Sequence, residues 1–257
     1  MKKFLQQQFP VFYQEKADFK IVIILIWCAL GLAIIRYIGD PFFVTSVLSD
    51  WGMKDAAHSM RNYMDQGPDS ELHRLSWWVW TIISVYLIIP ILIIRFVFNE
   101  AVASYGLKLK GAFHQWKIYA LMLMIMLPLV AWFSTTPSFQ ARYPFYKLAH
   151  GEALWPNFWI WELEYFIQFL ALEFFFRGFM VLGMREKLGI YSVFIMTVPY
   201  CMIHFGKPFP ETIGAIVAGV ILGAMSFQTR SVIMGVMIHY SVAITMDMFS
   251  LWQKGLL

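Results

Sequence analysis

The stretch FWIWELEYFIQFLALEFFFRGFMVLG, residues 158–183, decides how this chain is read. It is long enough to cross a bilayer, for which a helix needs about 20 mostly apolar residues. Yet it carries Glu173 and Arg177 well inside. Each such group costs on the order of 3 kcal/mol at the centre of a membrane helix, even on the lenient insertion scale. The two are four residues apart, so they share a helix face and can pair. Taken alone, the pair is as readily a structural intramembrane ion pair as a functional one. The early acids of the stretch, Glu162 and Glu164, are expected near the water interface.

Working outward, six further apolar stretches flank this one: 21–35 (continuing to Tyr37 past Arg36), 76–94, 118–133, 188–205, 213–227 and 232–251. Trp77, Trp78, Trp159, Trp161, Tyr191 and Trp252 near their ends suit the aromatic belt of a membrane protein. The composition agrees: 60% of residues are hydrophobic and 14% charged, against about 25% charged in soluble domains. These features predict an all-α, polytopic membrane helical bundle of about seven to eight transmembrane helices. The chain reads as one integral membrane domain, 1–257. The expected location is a bacterial inner membrane, with membrane lipid as surroundings.

The net charge of +4 is dispersed and forms no basic run, which excludes a nucleic-acid partner. Cys28 and Cys201 both fall in apolar segments and are read as small core residues, not a disulfide or metal pair. The first twenty residues have no continuous apolar core and no small-residue cleavage site, so no cleaved signal peptide is expected. Lys and Arg favour an N-terminus in the cytoplasm. The segment from 39 to 74 is the most polar loop, with a short apolar piece at 41–48 that is too short to span.

Two histidines lie in the later stretches. Glu173 precedes Leu188 by fifteen residues and His204 follows it by sixteen, so a hairpin turning at 185–189 sets both about 23 Å from the turn. His239 lies nine residues beyond Arg230, about 14 Å from the same side. A carboxylate and two imidazoles at comparable depth suit proton chemistry. One group takes a proton from water, and another donates to an oxyanion or leaving group. Two His and a Glu are also a zinc-type donor set. The spacing matches no compact motif such as HExxH, so neither metal nor cofactor is expected.

At this point the residues carry a resemblance. Leu172-Glu173-Phe174-Phe175-Phe176-Arg177-Gly178 looks like the EExxxR-G motif of the CPBP family, the CAAX-protease and bacteriocin-processing (Abi) membrane proteins. Tyr200-Cys201-Met202-Ile203-His204 resembles its second motif, FxxxH, with Tyr for Phe. His239 resembles the histidine of the third, HxxxN. The resemblance covers 158–251, the expected catalytic core. It implies a helical membrane fold and a glutamate-type endopeptidase, in which a glutamate and a histidine activate water while a second histidine and an asparagine hold the oxyanion.

The chain departs from that pattern twice. The first glutamate of the motif falls on Leu172, leaving the arginine-paired Glu173. The asparagine falls on Ala243. Asp247 lies on roughly the same helix face as His239, eight residues on, where it either orients His239 or is an interfacial charge at the helix end. Glu211 is either the first-turn acid of its helix or a group reaching back to His204.

Two function classes follow. The first is an intramembrane endopeptidase acting on a protein or peptide substrate, with Glu173, His204 and His239 catalytic and Arg177 and Asp247 supporting. The second is a non-proteolytic relative with an immunity, binding or scaffold role, which Leu172 and Ala243 favour. A proton-relay transporter ranks third.

Overall fold

A computed structural model describes residues 18–109, 111–148 and 151–257. The expectation for the extreme N-terminus lies mostly outside these. Among the described residues every regular element is helical. Six helices are long and apolar enough to cross a membrane. The protein is an integral membrane, all-α, polytopic bundle.

α1 (Phe19–Tyr37) opens on Asp18, whose carboxylate accepts from the backbone N–H of Lys20 and Ile21, at 3.0 and 3.3 Å. Such a cap satisfies donors that the first turn leaves open. The polar loop contains two short helices, α2 (Pro41–Asp50) and α3 (Lys54–Asp65). α2 includes the short apolar piece, and Asp40 caps it by accepting from Phe42 N at 2.9 Å.

α4 (Ser70–Val97) holds two wide π segments, Ser84–Ile88 and Ile93–Val97, on either side of Pro90. Proline has no N–H and crowds the carbonyl four residues back, so a wider coil on each side accommodates it. α1 packs closely on α4. A Cβ built on Gly31 would lie 2.9 Å from Val85 Cγ1, and the Trp27 indole donates to Val85 O at 3.1 Å.

α5 (Trp116–Phe133) lies at the periphery and α6 (Pro137–Arg142) is short. α7 (Asn157–Leu188) is the centre of the bundle: 83% of its apolar window is buried, against 11–39% for the other long helices. At 1.5 Å per residue it is about 48 Å long. α9 (Phe209–Thr229) and α10 (Ile233–Gln253) each pack on α7 and complete the set.

The fifth apolar stretch departs from the sequence expectation. Its helix, α8 (Tyr191–Met202), has only 12 residues, about 18 Å at 1.5 Å each, too short for the hydrocarbon core. Pro199 lies in its last turn, and the chain then unwinds through Gly206, whose φ of +88° suits glycine. His204 therefore sits just beyond a helix rather than within one. Glu162 also differs from expectation. It is 1% exposed and surrounded by protein, accepting from Tyr240 Oη at 3.3 Å. Glu164 accepts from Ser76 Oγ of α4 at 2.7 Å.

Candidate active site

The site begins where α10 crosses α7. A Cβ added at Gly235 would lie 2.5 Å from Glu173 Oε2, so a larger residue here would have to displace the carboxylate. One turn further along α10, His239 reaches the same carboxylate. Its Nδ1 lies 2.9 Å from Glu173 Oε1, and since a carboxylate can only accept, that nitrogen carries the proton. Arg177 Nη1 lies 3.0 Å from the same oxygen. Glu173 and Arg177 are both fully buried.

The arginine contact is an ion pair by distance, but no guanidinium N–H is aligned for a hydrogen bond. Its second attraction comes from Tyr200, whose ring centre lies 4.0 Å below the guanidinium carbon. A desolvated cation–π contact is worth about 2 kcal/mol. Directly after Glu173 the helix widens into a nine-residue π segment, Phe174–Leu182. Such segments recur at functional sites. Here Gly178 faces Tyr105 O so closely that a Cβ would lie 2.4 Å from it.

His204 follows α8 by two residues. Its Nδ1 donates to Tyr200 O at 2.8 Å, while its own carbonyl accepts from Thr212 Oγ1 at 2.9 Å. Both imidazoles thus have Nδ1 occupied, and neither Nε2 has a hydrogen-bond partner among the described residues. Both line one cavity of about 610 Å³. Gln168, Phe169 and Leu172 of α7 form the wall beside them. Leu32, Ile35 and Arg36 of α1 and Trp78, Ile82 and Tyr86 of α4 form another part of it.

An aromatic stack runs along this cavity. From Trp78 it passes through Phe145, Trp161, Tyr165 and Phe169 to His239, with successive ring centres 4.5–5.5 Å apart. Contacts in this range favour offset or tilted rings and fix side-chain orientation.

The structure therefore brings Glu173, Arg177 and His239 into contact and places His204 on the same cavity as His239. It does not put Glu173 on the cavity wall, because His239 lies in front of it. Asp247 neither orients His239 nor faces water. It is fully buried and accepts from Phe145 N at 2.9 Å, within reach of Glu162. Its carboxylate holds the backbone of Phe145, which lines the cavity and belongs to the aromatic stack. Glu211 begins α9, pairs with Lys207 at 2.5 Å and accepts from Tyr143 Oη at 3.0 Å. Among the described residues no three His, Cys, Asp or Glu side chains gather as a metal site.

Three contributors escaped the sequence reading. Gly235 carried a signal, one turn before His239. Gln168 carried one too, one turn before Leu172. The part of the wall from α1 and α4 carried none, since it depends on how distant helices pack.

The fold and site define a polytopic membrane protein with a buried Glu–His–Arg cluster behind a cavity. Residues 154–245 match the family model described as Rce1-like, Type II CAAX prenyl endopeptidase. This matched segment is of the CPBP, or CAAX-protease, family, whose general activity is that of a hydrolase. Helices α1 to α6 lie before the matched region. No curated protein and no solved structure matches the chain.

Proposed function

We propose that this protein is an intramembrane endopeptidase that hydrolyses peptide bonds of a protein or peptide substrate in a bacterial inner membrane. One observation carries the reading: His239, its Nδ1 held by the buried carboxylate of Glu173, shares the cavity with His204, and neither Nε2 has a hydrogen-bond partner among the described residues.

In this reading His239 is the general base. Its Nε2 takes a proton from water as the water oxygen attacks the peptide carbonyl carbon. Glu173 fixes the tautomer and stabilises the imidazolium that forms, the part a carboxylate plays behind a catalytic histidine. The proton then passes to the departing amine nitrogen as the C–N bond breaks. His204 Nε2 accepts the second O–H of the water and aims it. Arg177 pairs with the same carboxylate oxygen and offsets its charge. Glu173 thus acts through His239, and the role of base moves from the carboxylate to the imidazole.

A non-proteolytic reading has its own support. Leu172 sits on the cavity wall where the family motif has its first glutamate, and Ala243 stands where it has asparagine. The two readings separate in a peptide-library cleavage assay on the full chain in detergent or proteoliposomes. The endopeptidase reading expects turnover by wild type, unchanged by chelator, and a loss of about 10² or more in His239→Ala. Peptides that bind but are never cut would establish the non-proteolytic reading instead.

A further inference from the structure

We infer that Gln168 is a further catalytic residue of this cavity, donating its side-chain N–H to the carbonyl oxygen of the peptide bond being hydrolysed. The inference rests on the endopeptidase reading above and adds a group to it.

Gln168 is 4% exposed, yet it lines the cavity. Its Oε1 is shielded and has no hydrogen-bond partner. The Nε2 end is what the side chain offers the cavity. Buried amides in folded proteins are nearly always paired within the protein. An amide left open at a cavity wall is suited to a partner that arrives with a ligand.

Its position fits the chemistry. Gln168 stands one helical turn before Leu172, on the same face of α7. The next residue, Phe169, lies against His239 with ring centres 4.5 Å apart. The amide and the imidazole proposed as base thus line one cavity. An uncharged N–H donor in a dry site is what a developing oxyanion requires, because it need not reorganise as charge appears. When water adds to the carbonyl carbon, the π electron pair moves to oxygen, where the Gln168 N–H meets it. The pair returns as the C–N bond breaks, and the proton taken by His239 goes to the leaving nitrogen. Atoms and charge balance with water as the only co-reactant.

The test compares the full wild-type chain with Gln168→Met and Gln168→Glu in proteoliposomes. Methionine keeps the length and loses the donor; glutamate replaces it with an acceptor. Hydrolysis of fluorogenic peptides is measured as kcat and KM separately, and thermal stability is measured alongside. The expected result is a fall in kcat of about 10²-fold in both variants. KM should change little, and Tm should be unchanged or higher in Gln168→Met, since no protein contact is lost. Retained kcat in Gln168→Met, with His239→Ala inactive, would overturn the inference and leave the endopeptidase reading standing.

Thermal shift by the matching peptide aldehydes, whose hydrates resemble the tetrahedral adduct, separates the remaining cases. A shift in wild type that Gln168→Met loses supports the Gln168 donor where peptides are cut; where none is cut, it shows binding alone and the catalytic inference fails with the endopeptidase reading. No turnover and no shift would overturn both.

Discussion

At the scale of single residues, Glu173 is the pivot, because Arg177 and His239 converge on its fully buried carboxylate. Arg177→Ala would strip it of its cation and leave a buried charge held only by His239. Uncompensated buried charges cost about 3–5 kcal/mol. Glu173→Gln costs less, since its amide oxygen still accepts from His239 and Arg177 keeps its contact with Tyr200. Thermal melts in detergent should therefore rank Arg177→Ala below Glu173→Gln. Equal or reversed losses would count against the pair as a structural unit.

Gly235 makes a second claim at this scale. Alanine gains about 1 kcal/mol over glycine in a helix, but its Cβ would meet Glu173 Oε2 at 2.5 Å. Overpacking costs about 1–3 kcal/mol, so Gly235→Ala should lower both Tm and turnover. A variant as stable and active as wild type would show that α10 has room to withdraw.

At the scale of elements, α1 matters because it walls the cavity while most of its surface faces away from the bundle. Lys20 fastens its base, lying 2.9 Å from Glu100, which also accepts from Tyr105 Oη at 2.7 Å. Burial raises the Glu100 carboxyl, but the hydrogen bonds from Lys20 and Tyr105 outweigh it and hold the pKa below the ordinary 4.5. A carboxyl depressed by folding stabilises the fold above its unfolded value and loses that contribution as pH falls through the folded one. Acidification below about pH 4.5 should therefore loosen α1 in wild type. Glu100→Gln should be less stable at neutral pH and less sensitive to acid. Identical acid profiles for the two proteins would remove Glu100 from this role.

Elements also show what the sequence could convey. Long apolar runs announce themselves through composition, so the long spanning helices were readable. Glu173, Arg177, His204 and His239 stood out because charge and imidazole are costly in such runs. Equal depths across the hairpin require continuous helix over 188–205, whereas Pro199 and Gly206 end it near Met202. The π segment after Glu173 left no mark in residue type, and Asp247 shows the limit of face arithmetic. It shares a face with His239, but the Phe145 N–H and Glu162 fill its surroundings, and neither is near it in sequence.

At the scale of the whole molecule, the matched segment carries the polar cluster, while α1 and α4 complete the cavity in front of it. On the endopeptidase reading, helices outside the matched segment thus share in substrate fit. Leu32 and Ile35 face the cavity from α1 and make no contact with the Glu173 cluster that the mechanism uses. Leu32→Trp should narrow the cavity and raise KM while leaving kcat within about threefold. That is the pattern of lost uniform binding. A fall in kcat with unchanged KM would mean that α1 takes part in the chemical step.

The central claim is that Glu173 acts through His239, so the two should behave as one catalytic unit. The most direct measurement is a double-mutant cycle on peptide hydrolysis in proteoliposomes, using wild type, Glu173→Gln, His239→Ala and the combination. His239→Ala is expected to lose about 10² or more in kcat. The double variant should be no slower than His239→Ala alone, because groups acting as a unit do not add. Losses that multiply in the double variant would show Glu173 acting independently of His239. Full activity in Glu173→Gln together with His239→Ala would contradict the account.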